Sequence, residues 1–168
     1  MFNCLRKKIA EGFTLIEVIT ILFVISLGMI GVLSLIVQNI QSQSLNKDTL
    51  IGYQLAQEGV ELTRQVRDTN WREGRAWNTY LAVGDYYMDY TDITPNLAPT
   101  KNYGNLRQDS DGMYLNNPLF VISPGTNFYR VISIQDRAPG ILVVSNVYWS
   151  DHGRNYVYTL EAALYNWR

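Results

Sequence analysis

Glu17 is the one charged residue in an otherwise apolar run over residues 13–37, and the chemistry open to it there is ion pairing. An ionised carboxylate within hydrocarbon costs about 2.5–3.5 kcal/mol on insertion scales, so its retention calls for a partner of opposite charge. The other reactive residues are sparse. His152 is the only histidine, it stands in Asp151-His152-Gly153-Arg154, and it reads as a surface turn residue. No Gly-x-Ser-x-Gly elbow or His-Glu-x-x-His helix accompanies it, which makes an enzyme the disfavoured class and implies no cofactor. Asp109-Ser110-Asp111-Gly112 has the look of a calcium loop, since hard cations take several closely spaced oxygens. The first and last ligand positions of such a loop fall on Arg107 and Pro118, neither of them a carboxylate, so Asp109 and Asp111 are weak metal candidates and a solvated turn is favoured.

Cys4 is the only cysteine, which leaves the chain beyond it without an intramolecular disulfide or a thiolate metal site. The formal charge of the 168 residues is −1. Arg6, Lys7 and Lys8 against Glu11 put the first twelve residues at +2, and the remainder therefore at −3. A mildly acidic remainder argues against a general phosphate-binding surface, and nucleic acid is a disfavoured partner.

The elements that must position Glu17 follow from the pattern around it. Residues 13–37 as a helix span about 37 Å, enough to cross a bilayer with some tilt. The basic cluster Arg6-Lys7-Lys8 immediately before the run places the N-terminus in the cytoplasm and the rest of the chain outside, by the positive-inside bias. The apolar core is longer than that of a secretory signal, and no Ala-x-Ala site follows Val37. A simple signal anchor accounts for the topology but gives no reason for Glu17 or for Gly12 before the run.

Gly12-Phe13-Thr14-Leu15-Ile16-Glu17-Val18, after a short basic leader, resembles the processing site of type IV prepilins and pseudopilins. The resemblance implies removal of residues 1–12 by a prepilin peptidase that cuts between Gly12 and Phe13, and N-methylation of Phe13. It also implies that Glu17 pairs with the free N-terminal amine of a neighbouring subunit, and that the apolar helix packs against other pilin subunits after delivery by an inner-membrane assembly platform. Ion pairing of that kind makes a charge tolerable in a low-dielectric place. Many members carry a proline later in the apolar segment, whereas here the first proline is Pro95 and Gly28, Gly31 and Ser34 occupy the segment instead. Glycines there weaken the helix by up to about 1 kcal/mol each and permit close helix approach. The rest of the chain lacks the disulfide-bounded loop of many major pilins, which favours a minor pilin or pseudopilin-like subunit of a type IV pilus or type II secretion-like filament. A DNA-uptake pseudopilin and a non-polymerising anchored binding module are the alternatives.

Residues 38–68 continue the helix in amphipathic form. Leu45, Thr49, Gly52, Ala56, Gly59, Thr63 and Val66 recur at three- and four-residue steps, a stripe small enough to press against a sheet. A helix from Phe13 to about Arg67 measures on the order of 80 Å. Arg64 and Arg67 are expected in its last turn, with Asp68-Thr69-Asn70 starting a loop. Residues 69–118 read as an irregular connection with one short strand over residues 86–90. Its aromatics, among them Trp71, Trp77, Tyr86 and Tyr103, suit loop and subunit packing better than direct adhesion. Within residues 119–168, three alternating segments, 128–135, 141–149 and 156–165, form an antiparallel meander. The expected class is α+β: one long N-terminal helix packed on a small antiparallel sheet of three to four strands, the pilin-like lollipop that the resemblance implies. The expected location is the cytoplasmic membrane, single-pass, and then an extracellular or periplasmic filament.

Overall fold

The structure, a computed structural model, describes residues 12–98, 104–116 and 126–167. Arg6, Lys7, Lys8, Tyr103 and Pro118 lie outside the described residues. The chain divides into two compact units, Met1–Ser44 and Leu45–Arg168. One helix, α1 (Leu15–Arg72), supplies the described secondary structure of the first unit and the opening element of the second.

In the first unit every described residue from Gly12 to Ser44 is exposed, including Leu22, Phe23 and Ile30. Helix α1 is long and apolar enough to cross a membrane. Its hydroxyls are satisfied within the helix: Thr20 donates to the Glu17 carbonyl at 2.9 Å and Ser26 to the Leu22 carbonyl at 2.6 Å. Such back-bonding lets Ser and Thr sit in an apolar helix without a water partner.

In the second unit α1 packs on an antiparallel sheet, and the buried side of the helix comprises Gly52, Leu55, Ala56, Gly59, Val60, Leu62, Thr63, Val66 and Asn70. The small-residue stripe holds from Gly52 onward. It does not begin at Leu45, which is half-buried, or at Thr49, which is exposed. Burial widens instead to Leu55, Val60 and Leu62, because a helix lying on a sheet covers more than a single row.

Glycine is required on this face by close approach. A Cβ at Gly59 would sit 2.5 Å from Ser145 Oγ and 3.1 Å from Arg130 Cδ, and one at Gly52 would sit 2.9 Å from the Trp149 ring. Alanine ordinarily favours a helix by about 1 kcal/mol over glycine. Here overpacking reverses the sign, and Gly59→Ala is expected to destabilise the fold by about 1–3 kcal/mol. Thermal unfolding of the detergent-solubilised chain checks this, with Ser145→Ala in the same chain recovering part of the loss.

The helix ends later than its composition implies. Asp68, Thr69 and Asn70 are helical, and the stop is a Schellman motif around Gly74, whose φ is +69°. Arg75 N–H donates to the Asn70 carbonyl at 2.8 Å and Gly74 N–H to the Trp71 carbonyl at 3.2 Å. Buried Asn70 then holds the next loop, donating to the Thr79 carbonyl at 2.7 Å and the Trp77 carbonyl at 3.2 Å. Arg64 and Arg67 do not cap the helix. Arg64 pairs with Glu61 at 2.6 Å, and Arg67 reaches Asp68 at 2.9 Å while its guanidinium lies 4.7 Å from the Trp71 ring centroid.

The main sheet has five strands, not three to four: β1 (Gly84–Tyr87), β2 (Asn96–Leu97), β5 (Tyr129–Arg137), β6 (Gly140–Asp151) and β7 (Arg154–Leu164), in the order β2-β1-β5-β6-β7 and antiparallel throughout. β3 (Arg107–Gln108) and β4 (Tyr114–Leu115) form a separate small hairpin. The connection after the helix is thus more ordered than its Gly, Asn and Pro content implies. The strand expected at residues 86–90 lies at Gly84–Tyr87, where it pairs with β5, and Tyr90 falls outside it. The three meander strands appear, each one or two residues displaced at an end. His152 (φ +48°) and Gly153 (φ +76°) form the two-residue turn between β6 and β7, the primed geometry that matches strand twist.

Candidate functional site

The residues with the sharpest sequence signal lie at the start of α1. Gly12 and Phe13 precede the helix, and the Phe13 side chain is 75% exposed. A Cβ at Gly12 would meet nothing within 4 Å, so no packing among the described residues requires glycine there. Gly28 and Gly31 are equally open.

Thr14 begins the helix. Its carbonyl accepts from Glu17 N–H at 3.1 Å and Val18 N–H at 3.2 Å, and its Oγ1 lies 3.3 Å from Glu17 N–H. Thr14-x-x-Glu17 therefore has the spacing of a capping box, a signal the sequence reading passed over. Glu17 thus sits in the first turn, where a carboxylate is favoured by the partial positive charge of the unsatisfied N–H groups. Two demands meet at one residue: a helix start that wants an acceptor, and an apolar surround that wants a counter-charge.

The remaining candidates stand elsewhere. His152 is exposed in its turn with Nδ1 2.7 Å from Asp151 Oδ1, and no described hydroxyl or thiol hydrogen-bonds to its ring. Asp109 Oδ1 accepts from Asp111 N–H and Met113 N–H, each at 2.9 Å, and its Oδ2 accepts from the Tyr90 hydroxyl at 3.0 Å. Those donors hold the carboxylate as the organiser of its own turn. Among the described residues no group of three or more His, Cys, Asp or Glu is placed to hold a metal ion.

Hydrogen bonding, first from Met113 N–H, holds the Asp109 carboxyl below the usual carboxylate range, while the bond to Asp109 raises the Tyr90 phenol above the usual tyrosine value. A lowered carboxyl supports the turn above the ordinary carboxylate range and loses that support only as the pH falls through its own depressed value. Asp109→Asn is expected to return Tyr90 towards ordinary tyrosine, read as the difference in alkaline absorbance titration between that variant and Tyr90→Phe.

The most buried charged group escaped the sequence reading. Arg130 is fully buried, with Nη1 donating to the Leu55 carbonyl at 2.8 Å and lying 3.0 Å from Glu58 Oε2, and Nη2 donating to the Met88 carbonyl at 2.7 Å. It joins α1, the segment after β1 and β5 at one point. A signal was present: alternation puts Arg130 on the same face of β5 as Ile132 and Ile134, both of which are core residues.

No protein-family model, curated protein or solved structure matches the chain.

Proposed function

We propose that the chain is a structural subunit of a type IV pilin-like filament, in the minor pilin or pseudopilin class, made as a precursor and cleaved between Gly12 and Phe13. The observation that carries this reading is the arrangement at the helix start. An exposed, non-helical Gly12–Phe13 junction is followed, four residues after Phe13, by the single carboxylate of the apolar run over residues 13–37. Cleavage creates at Phe13 the positive amine that Glu17 lacks, and a neighbouring subunit supplies that amine beside Glu17 during assembly. The open surroundings of Gly28 and Gly31, with no described residue of this chain against them, support the same reading, because such a glycine is free to meet another subunit closely. The partners are a prepilin peptidase, the cytoplasmic membrane, an assembly platform and other subunits. The N-terminus faces the cytoplasm before assembly. Calcium, other cofactors and catalysis have no part in the proposal.

Mass spectrometry of the membrane-extracted protein tests it. The expected N-terminus is N-methylated Phe13. An intact Met1 in cells that contain the peptidase overturns the reading.

A further inference from the structure

Both edges of the main sheet end in strands that run the same way, because five antiparallel strands are an odd number. Equally oriented copies standing side by side can therefore bring β2 of one against β7 of the next. The contact is heterologous and repeats from copy to copy.

The two edges are built differently. β7 pairs with β6 along its whole length, from Asp151↔Arg154 to Ile141↔Leu164, and no described strand lies on its other side. The two-residue turn makes Asp151 and Arg154 a hydrogen-bonded pair, and alternation then turns the N–H and C=O groups of Val157, Thr159 and Glu161 outward. Lysine, proline and bulges, which normally blunt an exposed edge, are missing from residues 154–164. Beside this edge runs a groove of about 260 Å³ between β7 and α1, with Val60, Leu160 and Ala162 as its apolar floor and Glu61, Arg64 and Glu161 on its rim.

On β2, Ala98 N–H donates to the Asp85 carbonyl at 2.8 Å, so alternation turns the N–H and C=O of Leu97 away from β1. Leu97 is opposite the core residue Tyr86, which puts its side chain on the helix side of the sheet, the side on which the β7 groove opens. That side chain is 69% exposed.

We infer that β7 of one subunit receives β2 of the next as a parallel sixth strand. Leu97 lies opposite Leu160, its N–H donating to the Thr159 carbonyl, its C=O accepting from Glu161 N–H, and its side chain on the Val60–Leu160–Ala162 floor. The inference rests on the filament reading, which supplies equally oriented neighbours. An isologous β7–β7 contact has a two-fold axis normal to the sheet and would reverse the helices, so copies sharing one membrane orientation cannot make it.

The test is a disulfide between Leu97→Cys and Leu160→Cys in the full chain, with Cys4→Ser in all variants. Within one copy the two sites are four strand spacings apart, about 19 Å, too far for a bond. After oxidation of sheared filaments the double variant is expected to give a covalent ladder and each single variant only monomer. Leu97→Glu, which places a carboxylate on the apolar groove floor beside Glu61 of the neighbouring helix without touching the core, is expected to lower the chain recovered in filaments at least tenfold at an unchanged membrane level. Filaments that form normally without a ladder, normal recovery of Leu97→Glu, or dimers from either single variant overturn the inference and leave the filament reading standing. An intact Met1 and no filaments overturn the filament reading itself.

Discussion

Glu17→Gln is expected to enter sheared filaments at least tenfold less than the unaltered chain while inserting in the membrane at the same level. Glutamine keeps the shape and the acceptor that a capping box uses, so the helix start at Thr14 survives. It removes the charge, and with it the attraction for an amine brought up by a neighbour in hydrocarbon. Glu17→Ala removes the charge and the rest of the side chain, and is expected to show the same assembly defect. Thr14→Ala frays the turn alone. Comparing the three by filament recovery and by hydrogen exchange at the helix start separates the roles. Normal assembly of Glu17→Gln would show that Glu17 serves the helix end and nothing else.

Arg130→Ala is expected to be the most destabilising single substitution in the second unit, at about 3–5 kcal/mol from the cavity and the carbonyl left unpaired. The guanidinium is fully buried and satisfies two carbonyls, Leu55 and Met88, as well as Glu58. Its loss leaves the Met88 carbonyl short of a donor and opens a cavity between helix and sheet. Glu58→Gln is expected to cost about 1 kcal/mol. The asymmetry follows from what each change leaves behind: the glutamine oxygen can still accept from Arg130 Nη1 and the Leu55 and Met88 carbonyls keep their donors, whereas loss of Arg130 strands the Met88 carbonyl and empties the space under the helix. Urea unfolding of the detergent-solubilised chain, followed through buried Trp149, checks both values. Equal effects of the two substitutions would mean that the ion pair, rather than the buried carbonyl network, carries the energy.

The features legible in sequence are those set by local periodicity and by chemistry that does not depend on folding. A 25-residue apolar run with one carboxylate is unmistakable, and so is the strand of branched and aromatic residues over 141–149, apolar on both faces near its start. The small stripe from Gly52 to Val66 announced its sheet partner because only close approach excludes side chains there. The end of the helix is not legible in sequence because Asp68, Thr69 and Asn70 individually favour loops, whereas the Gly74 cap and the bonds of Asn70 to a later segment decide in favour of the helix. The bounds of β1 and the existence of β2 are not legible for a related reason: strands of four and two residues carry too little periodicity, and they form because β5 offers an edge to β1 and β1 in turn to β2.

Sequence alone determined the apolar helix, the position of Glu17 within it and the glycine before it, because membrane compatibility and peptide-bond identity are properties of the chain in one dimension. Tertiary structure alone decided that Arg130 lies under the helix, that five strands rather than three or four make the sheet, and that its two edges point the same way. Those facts depend on which distant segments meet, and the free energy of such meetings is not written in any single stretch of residues.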